Sequence, residues 1–305
     1  MNGAVAGAPV SFGVFELTPE GAETVSADAM CEALQSTGYR GIDLGPAGFL
    51  GRGAELRARL ARFDLELAGG WVQLPFRDDD AFEASLGELH EALRIFADAA
   101  EAGPALLPLP TLADAGSAAR AAAPGRGADV DPIGAAERDR LHRNVERAAA
   151  IVRAAGFTPT FHHHAGTFVE SPEEIDLFLA HTDVGLTFDV GHLVLAGGDP
   201  LHGARRWGQR INHLHLKDVD LDRVAQILAS GGGMAQVWAG GAFVAFGQGD
   251  VDLPGVMDLV AASGFDGWVI VEQDVLNGPD VAIGRFLQER TADQRVNRDV
   301  LRPWL

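Results

Sequence analysis

Short apolar segments alternate with amphipathic segments along the whole chain, and this alternation restricts the fold more than any other feature. The apolar segments are 9–15, 40–45, 65–72, 104–110, 158–163, 184–190, 211–217 and 267–272. The amphipathic segments are 26–37, 53–63, 79–101, 134–155, 172–181, 200–207, 254–263 and one from about 279. Repeated βα units build a parallel sheet, and eight of them predict a single (β/α)8 TIM barrel of the α/β class.

A doubly wound α/β sheet is the alternative, but the turn after the first apolar segment, SFGVFELTPEG, is not a GxGxxG phosphate loop. We therefore expect one catalytic domain over 1–305, with strands 1 to 8 in 9–272 and a C-terminal helix or tail in 279–305.

Two segments exceed a minimal barrel. Residues 112–132 are rich in Ala, Gly and Asp and predict a mobile loop after strand 4, and 218–253 form an extended loop after strand 7 with a helix at 221–230. Both follow carboxyl ends of strands, where barrel active sites lie. We expect them to act as a lid or substrate wall, or else to be surface excursions.

Composition excludes several classes of protein. The net charge of −19 and the pI near 4.8 make nucleic acid a poor partner. No run of 18 apolar residues predicts a membrane span, and the N-terminal residues lack the basic region of a signal peptide. One cysteine, Cys31, excludes an internal disulfide framework, so we expect a cytoplasmic protein.

Histidines concentrate near the ends of predicted strands 5 to 7. Because a strand turns successive side chains to opposite faces, His162 and His164 of FHHHAGT point into the barrel, while His163 points outward or lies in the turn. The same parity in strand 7 sends His213 and His215 inward, opposite to the leucines between and after them.

Two carboxylates join these histidines. Strand parity turns Asp189 and Glu272 inward, so neighbouring strands bring them to one rim with His215 and either His162 or His164. Two imidazoles and two carboxylates suit a divalent metal such as Mn²⁺, Co²⁺, Zn²⁺ or Mg²⁺. A polar barrel core without a metal is the alternative, but converging polar side chains are costly to bury unless they bind something.

Lys217 is the only lysine in the chain and lies on the inward face two residues after His215. Beside a bound metal its pKa would be depressed, so it could act as a base or donate to an oxyanion. The alternative is a surface lysine at the end of the strand.

Three motifs occur in an order and spacing that resemble the xylose-isomerase-like barrel superfamily of sugar isomerases, epimerases and dehydratases: FDVGH (188–192), HLHLKD (213–218) and VIVEQD (269–274). Further stretches are similar to inosose dehydratases, which dehydrate 2-keto-myo-inositol. They are SFGVFEL (11–17), GYRGIDLGPAGFLG (38–51), LAGGWVQLPF (67–76), FHHHAGT (161–167), LAGGDPL (195–201) and HLHLKDVD (213–220).

This resemblance implies a set of metal ligands. Asp189, His215 and Glu272 match three ligands of the superfamily. The fourth, on strand 5, is usually a glutamate, and the matching position here is His162. His164 or a water molecule could take that place instead. Mn²⁺ or Co²⁺ is the expected ion, with Mg²⁺ or Zn²⁺ as alternatives.

The resemblance also implies a reaction, the dehydration of a keto-polyol through a metal-stabilised enediolate. We expect Lys217 or an inward histidine such as His164 to act as the base, and His192 matches the substrate-contacting histidine of the superfamily. Further candidate contacts to a cyclic polyol are Glu16, Asp43, Trp71, Gln73 and His213.

Other functions predict different observations. A sugar isomerase or epimerase would use the same metal site without a change of mass. An abasic-site nuclease would need more histidine ligands and a basic surface, which the charge of −19 argues against. A non-catalytic polyol-binding protein would lack the metal. A small polyol or sugar is the expected partner, with no nucleic acid or membrane. Barrels of this kind often pair, which makes a homodimer one candidate assembly, but the sequence does not fix the oligomeric state.

Overall fold

The computed structural model describes residues 4–15, 23–278 and 280–305. Eight parallel strands in these ranges close into a barrel in the order β1-β10-β7-β6-β5-β4-β3-β2, and β8 and β9 form a separate antiparallel pair. The strands are β1 Ala4–Gly7, β2 Gly41–Asp43, β3 Glu66–Leu74, β4 Leu109–Asp114, β5 Thr160–His162, β6 Gly185–Asp189, β7 Ile211–Leu216, β8 Asp218–Val219, β9 Phe243–Val244 and β10 Trp268–Val271.

Helices follow the barrel strands and confirm the (β/α)8 prediction. They are α1 Ala27–Ser36, α2 Gly53–Arg62, α3 Asp79–Ala100, α4 Ala118–Ala121, α5 Gly127–Val130, α6 Ala135–Ala154, α7 Pro172–His181, α8 Val190–Leu195, α9 Pro200–Trp207, α10 Leu221–Ala229, α11 Met234–Ala239, α12 Leu253–Ala262 and α13 Ile283–Val300. Short 3₁₀ turns cover Pro9–Phe12, Gly208–Arg210 and Arg302–Trp304. No helix within these described ranges has the length and apolar character needed to cross a membrane.

Side-chain caps fix where several helices begin. Ser26 and Asp78 accept hydrogen bonds from backbone N–H groups at the starts of α1 and α3. Ser171 and Glu174 form a capping box at the start of α7, where Pro172 occupies the first turn. Caps of this kind satisfy N–H groups that have no partner within the helix. They explain why the predicted helix limits agree closely with the structure.

The predicted position of strand 1, 9–15, is wrong. The first barrel strand is Ala4–Gly7, which pairs with β10 and β2, and Pro9–Phe12 form a 3₁₀ turn. Pro9 has a fixed φ and no N–H, so it favours the start of a helical turn over a ladder position. Gly13 ends that turn at a φ of 71°, in the left-handed region that favours glycine.

The prediction for strand 4, 104–110, is shifted towards the N-terminus. Pairing with β3 begins at Leu109 and runs to Asp114, because Pro104 and Pro108 have no N–H to donate to a neighbouring strand. The predicted loop 112–132 therefore begins inside β4, and it also contains α4 and α5. The predicted helix at 221–230 is confirmed as α10, and the same insertion also holds α11 and the β8–β9 pair.

The inside of the barrel is apolar at one end and polar at the other. Trp268 and Ile270 pack with small alanines in a compact interior core at the amino end of the strands. Val269 and Val271 point the other way and belong to the large core between strands and helices, as parity predicts. Polar side chains occupy the carboxyl end.

Candidate functional site

Four side chains converge at the carboxyl ends of neighbouring barrel strands. His162 ends β5 and Asp189 ends β6. His215 lies in β7 opposite Asp189, and Glu272 follows β10. Each offers one potential ligand atom, these atoms lie within 4.8 Å of one another, and all four residues are buried. We call this set the four-residue cluster.

His162 has one ring nitrogen available to a cation. Its Nδ1 lies 2.5 Å from the carbonyl oxygen of His163, which assigns the ring proton to Nδ1 as a donor. Burial is the main reason that the pKa of His162 is lowered, so the neutral ring is favoured. Nε2 then carries a lone pair and faces Asp189 Oδ2 at 3.3 Å. Two facing lone pairs repel unless a cation lies between them, and a carbonyl behind the ring is a usual support of a metal-binding histidine.

The carboxylates of the cluster remain ionised despite their burial. Asp189 Oδ1 accepts from the backbone N–H of His192 at 2.9 Å and caps α8, which leaves Oδ2 facing the cluster. Burial raises the pKa of Asp189, but Lys217 and His192 outweigh it and hold that pKa well below its usual value. Burial is likewise outweighed at Glu272, whose pKa is lowered mainly by His215, with Nδ1 at 2.9 Å from Oε2.

Lys217 lies at the centre of this negative charge. Its Nζ donates to Asp189 Oδ2 at 2.6 Å and to Glu272 Oε2 at 2.5 Å, and the residue is 2% exposed. Burial lowers the pKa of Lys217, but Asp189, Asp274 and Glu272 outweigh it and raise that pKa. The depressed pKa beside a bound metal stays a prediction, and the neighbouring carboxylates by themselves keep the ammonium charged.

Two histidines and a further carboxylate form a second tier beside the cluster. The rings of His164 and His192 lie 3.5 Å apart between centroids. His192 is buried, and its Nε2 lies 3.6 Å from Asp274 Oδ2. Burial raises the pKa of Asp274 to about 7. The sequence interpretation did not single out Asp274, although it shares the parity of Glu272 and ends the motif VIVEQD.

Aromatic side chains form a wall next to the second tier. The Trp71 ring meets the rings of His162 and His164 edge-on, each at 5.2 Å between centroids. Trp71 donates to Gln73 at 3.3 Å, and Trp238 of α11 lies 6.3 Å from the His164 ring. The insertion after β7 thus contributes to the wall. Glu16, also a predicted substrate contact, lies outside the described residues.

Asp43 and His213 lie below the cluster, inside the barrel. Both are buried, and Asp43 Oδ1 and both ring nitrogens of His213 have no hydrogen-bond partner in the described part of the chain. Burial raises the pKa of Asp43 to about 7. A Cβ on Gly69 would lie 3.0 Å from His213 Nε2 and 3.1 Å from Asp43 Oδ1, so glycine leaves these groups their space.

His163 supports the site from outside the barrel. Its Nε2 accepts from the backbone N–H of Asp189 at 3.2 Å, and its ring lies 6.2 Å from that of Phe188. Parity predicts this outward position. The ring therefore ties the end of β5 to the residue that ends β6.

Arg120 of α4 fastens the segment after β4 to the segment after β5. It is fully buried and donates to the carbonyl oxygens of Asp131 at 3.0 Å and Thr167 at 2.7 Å, and to Glu174 Oε1 at 2.9 Å. Its guanidinium also lies 4.3 Å from the centroid of the Phe168 ring. These contacts correct the prediction of a mobile loop at 112–132.

Glu170 adds a second fastening at the same place. Its carboxylate accepts from the backbone N–H groups of Gly125 at 3.2 Å, Gly127 at 2.6 Å and Gly166 at 2.6 Å. We call Arg120, Glu170 and Glu174 the loop anchor. It holds two loops of the rim in one position.

The residues of the four-residue cluster fit a divalent metal ion. They supply two imidazoles and two ionised carboxylates, the ligand types that Zn²⁺ and Mn²⁺ accept. His162 Nε2 presents a lone pair, and His215 Nδ1 faces the two carboxylates, 3.7 Å from Asp189 Oδ2 and 2.9 Å from Glu272 Oε2. The cluster therefore has the donor chemistry of a metal site.

Two curated proteins show what the chain is similar to. The chain is 37% identical over 141 residues to an inosose dehydratase of Lacticaseibacillus casei, covering 45% of this chain and 47% of that enzyme. The chain thus spans about half the length of the curated dehydratase that it matches. A longer match, 31% identical over 283 residues, links it to the rhizopine catabolism protein MocC of Rhizobium meliloti and covers 87% of this chain and 80% of that protein.

A solved structure and a family profile agree with the fold. The IOLI protein, solved with a bound zinc atom, superposes with a TM-score of 0.68 at 14% identity and covers 99% of both chains. At that identity the likeness shows the fold alone. The sequence profile described as "Xylose isomerase-like TIM barrel" matches residues 31–293. This chain therefore belongs to the xylose isomerase-like TIM-barrel family.

Proposed function

We propose that this protein is a divalent-metal-dependent dehydratase, a carbon–oxygen lyase, that acts on a keto-polyol such as 2-keto-myo-inositol. The observation that carries the proposal is the buried cluster of His162, Asp189, His215 and Glu272 with a charged lysine at its centre. The match to inosose dehydratases supports the substrate class. Mn²⁺ or Co²⁺ is the proposed ion.

The four-residue cluster would hold the metal. When bound, the ion would polarise the ketone and an adjacent hydroxyl and so acidify the neighbouring C–H. The surrounding side chains bury that position from water on the barrel side, which strengthens every electrostatic interaction there.

Hydrogen bonds suggest how the side chains divide the proton transfers. His164 Nδ1 lies 2.7 Å from the carbonyl oxygen of Ala165, so Nδ1 donates and Nε2 is left to accept a proton. Lys217 is a donor to both of its carboxylates. We assign His164 as the base that removes the proton and Lys217 as the donor that assists the departing hydroxyl.

Other residues would place the substrate. His192 has no hydrogen-bond partner on either ring nitrogen among the described residues, and it lies against His164. Trp71, Gln73 and the insertion's Trp238 form a wall of the type that covers the face of a sugar ring. Asp43 and His213 lie deeper in the barrel than the four-residue cluster. They would contact only a part of the substrate that extends below the cluster.

The test is incubation of the Mn²⁺-loaded or Co²⁺-loaded protein with 2-keto-myo-inositol in deuterated water, with product analysis by mass and absorbance. We expect loss of one water and a new enone absorbance. A product that keeps all its oxygen atoms, differs from the substrate in retention time and gains only the mass of incorporated deuterium would instead support the isomerase or epimerase. An unchanged substrate without exchange would contradict both.

A matched variant checks the assignment of the base. His164→Gln keeps a hydrogen-bond acceptor near the same place but cannot take up the proton. We expect kcat to fall about 10²- to 10⁴-fold, the usual contribution of a general base, while metal content stays unchanged. A normal kcat in this variant would show that a residue other than His164 is the base.

A further inference from the structure

The Lys217 ammonium and the four-residue cluster depend on the same carboxylate oxygens. Asp189 Oδ1 is engaged by the backbone N–H of His192, and Oδ2, which faces the cluster, accepts from Lys217 at 2.6 Å. Glu272 Oε2 likewise lies 2.9 Å from His215 Nδ1 and 2.5 Å from the lysine nitrogen. A cation that binds to the cluster would meet an ammonium already held by these oxygens, and the two positive charges would repel strongly in a buried site.

A third carboxylate, that of Asp274, lies near the ammonium. Asp274 Oδ1 lies 3.6 Å from Lys217 Nζ, is buried, and has no hydrogen-bond partner among the described residues. A buried carboxylate without a full set of hydrogen bonds is costly, so Asp274 gains from any approach of the ammonium.

The rest of the lysine side chain is held in place. A Cβ on Gly191 would lie 2.5 Å from Lys217 Cβ and 2.9 Å from its Cδ, so the stem packs closely on the backbone of α8. Movement is therefore confined to the end of the side chain. That end needs to travel only a short way to reach Asp274 from its present 3.6 Å.

We propose that Asp274 is a positioning residue for Lys217, and that it receives the ammonium which a divalent cation displaces from Asp189 and Glu272. The inference rests on the metal site of the proposed function. Lys217 stays charged in both positions, so the change moves an ammonium group and transfers no proton. It would place the only lysine beside His192 and Asp274, next to the proposed substrate position.

The sequence offers a way to observe this movement of the ammonium directly. Because Lys217 is the only lysine, protein labelled with ¹³C and ¹⁵N lysine gives a single set of lysine side-chain NMR signals. We expect titration with Zn²⁺, which is diamagnetic, to replace that set by a second one that saturates at about one equivalent.

The variant Asp274→Asn distinguishes displacement of the Lys217 ammonium towards residue 274 from a direct effect of the zinc charge on the lysine signals. The variant should alter the zinc-loaded lysine signals much more than the metal-free ones, because the proposed displacement brings the ammonium from 3.6 Å to hydrogen-bond distance of residue 274. If the lysine stays on Asp189 and Glu272, the substitution will affect both states alike or neither. Either of those results overturns the proposal.

Zinc affinity, measured by calorimetry, gives a second readout. We expect Asp274→Asn to weaken zinc binding about tenfold in the natural sequence but less than about twofold when Lys217→Met is also present, because Asp274 acts through the lysine. Asp114→Asn is the matched control. It changes a buried carboxylate at the carboxyl end of β4 that accepts from the backbone N–H groups of Gly116 and Phe168 and forms no hydrogen bond or ion pair with Lys217 in the described ranges, so its effect should be equal in both backgrounds.

The outcomes separate this inference from the proposed function. Absence of zinc binding would overturn the metal site and the inference together. Zinc binding with lysine signals that do not depend on Asp274 would overturn the inference alone. A displaced lysine in a protein that does not dehydrate 2-keto-myo-inositol would leave the inference standing and contradict the function.

Discussion

The four-residue cluster and the loop anchor are both buried groups of charged side chains on one rim, but they differ in how their polar atoms are satisfied. In the loop anchor, Arg120 has three acceptors and the Glu170 carboxylate accepts three backbone N–H groups. In and around the cluster, ring nitrogens of His192 and His215 and Asp274 Oδ1 have no hydrogen-bond partner in the described part of the chain.

This difference separates a structural role from a binding role. A fully satisfied buried ion pair holds the segments that supply its partners. Buried polar atoms without partners lower stability and persist where a ligand completes them. We therefore expect substitutions in the loop anchor to act on folding and substitutions in the cluster to act on metal binding and turnover.

The largest effect should come from the cluster carboxylates. Asp189→Asn or Glu272→Gln removes an anionic ligand while keeping the shape of the side chain. We expect the protein to lose bound metal and at least about 10³-fold of its activity. Metal analysis after dialysis and the inosose assay measure these losses. Full metal occupancy in both variants would show that the ligand set is wrong.

The next largest effect should come from the anchor. Arg120→Met leaves Glu174 Oε1 and the carbonyl oxygens of Asp131 and Thr167 without the arginine donor, although Glu174 Oε2 keeps two backbone N–H donors, and we expect the free energy of unfolding to fall by about 3 kcal/mol. Urea denaturation measures it. Arg126→Met is the matched control on the same segment, because in the described part of the chain the side chain of that arginine forms only an exposed ion pair with Asp129 at 3.6 Å and should change stability little. Equal losses of unfolding free energy in Arg120→Met and Arg126→Met would show that the loop anchor has no special role in stability.

The smallest expected effect is a pH dependence of stability, and it comes from His142 beside the loop anchor. His142 borders a cavity of about 200 Å³ together with Phe168 and Glu174, and burial lowers its pKa to about 4, helped by His181. The unfolded chain therefore binds this proton between about pH 6.5 and 4, and the native protein does not. The stabilisation is complete above pH 6.5 and is lost as the pH falls towards 4.

His142→Phe tests this sign, since phenylalanine keeps a planar ring that cannot be charged. Between pH 7 and 5 we expect the unfolding free energy of the natural protein to fall by about 2 kcal/mol more than that of the variant. Parallel pH profiles from urea denaturation would show that His142 does not contribute.

Strand parity and the family resemblance together predicted the members of the cluster from the sequence. Parity works for Asp189, His215 and Lys217 because regular strands alternate their side chains, and each lies in or next to such a strand. Helix limits were predictable for a similar reason, since caps such as Ser171 act within a few residues.

Features that depend on distant contacts were not predictable. The alanine and glycine residues of β1 carry little strand signal, and only pairing with β10 and β2 makes that segment a strand. Arg120 sits in an alanine-rich stretch that resembles a flexible loop, and its partners lie 11 to 54 residues away. Asp274 shares the parity of Glu272, but it lies three residues beyond the end of β10, and only its contacts with Lys217 and His192 give it a place in the site.

The burial of Lys217 also has a consequence for chemical labelling. Lysine-directed acylating reagents need a neutral, accessible amine, and this side chain is 2% exposed and hydrogen-bonded to two carboxylates. The folded protein should therefore resist modification at its only lysine, and modification should begin when the barrel opens. The rate of acylation at this single position would report how often the barrel opens.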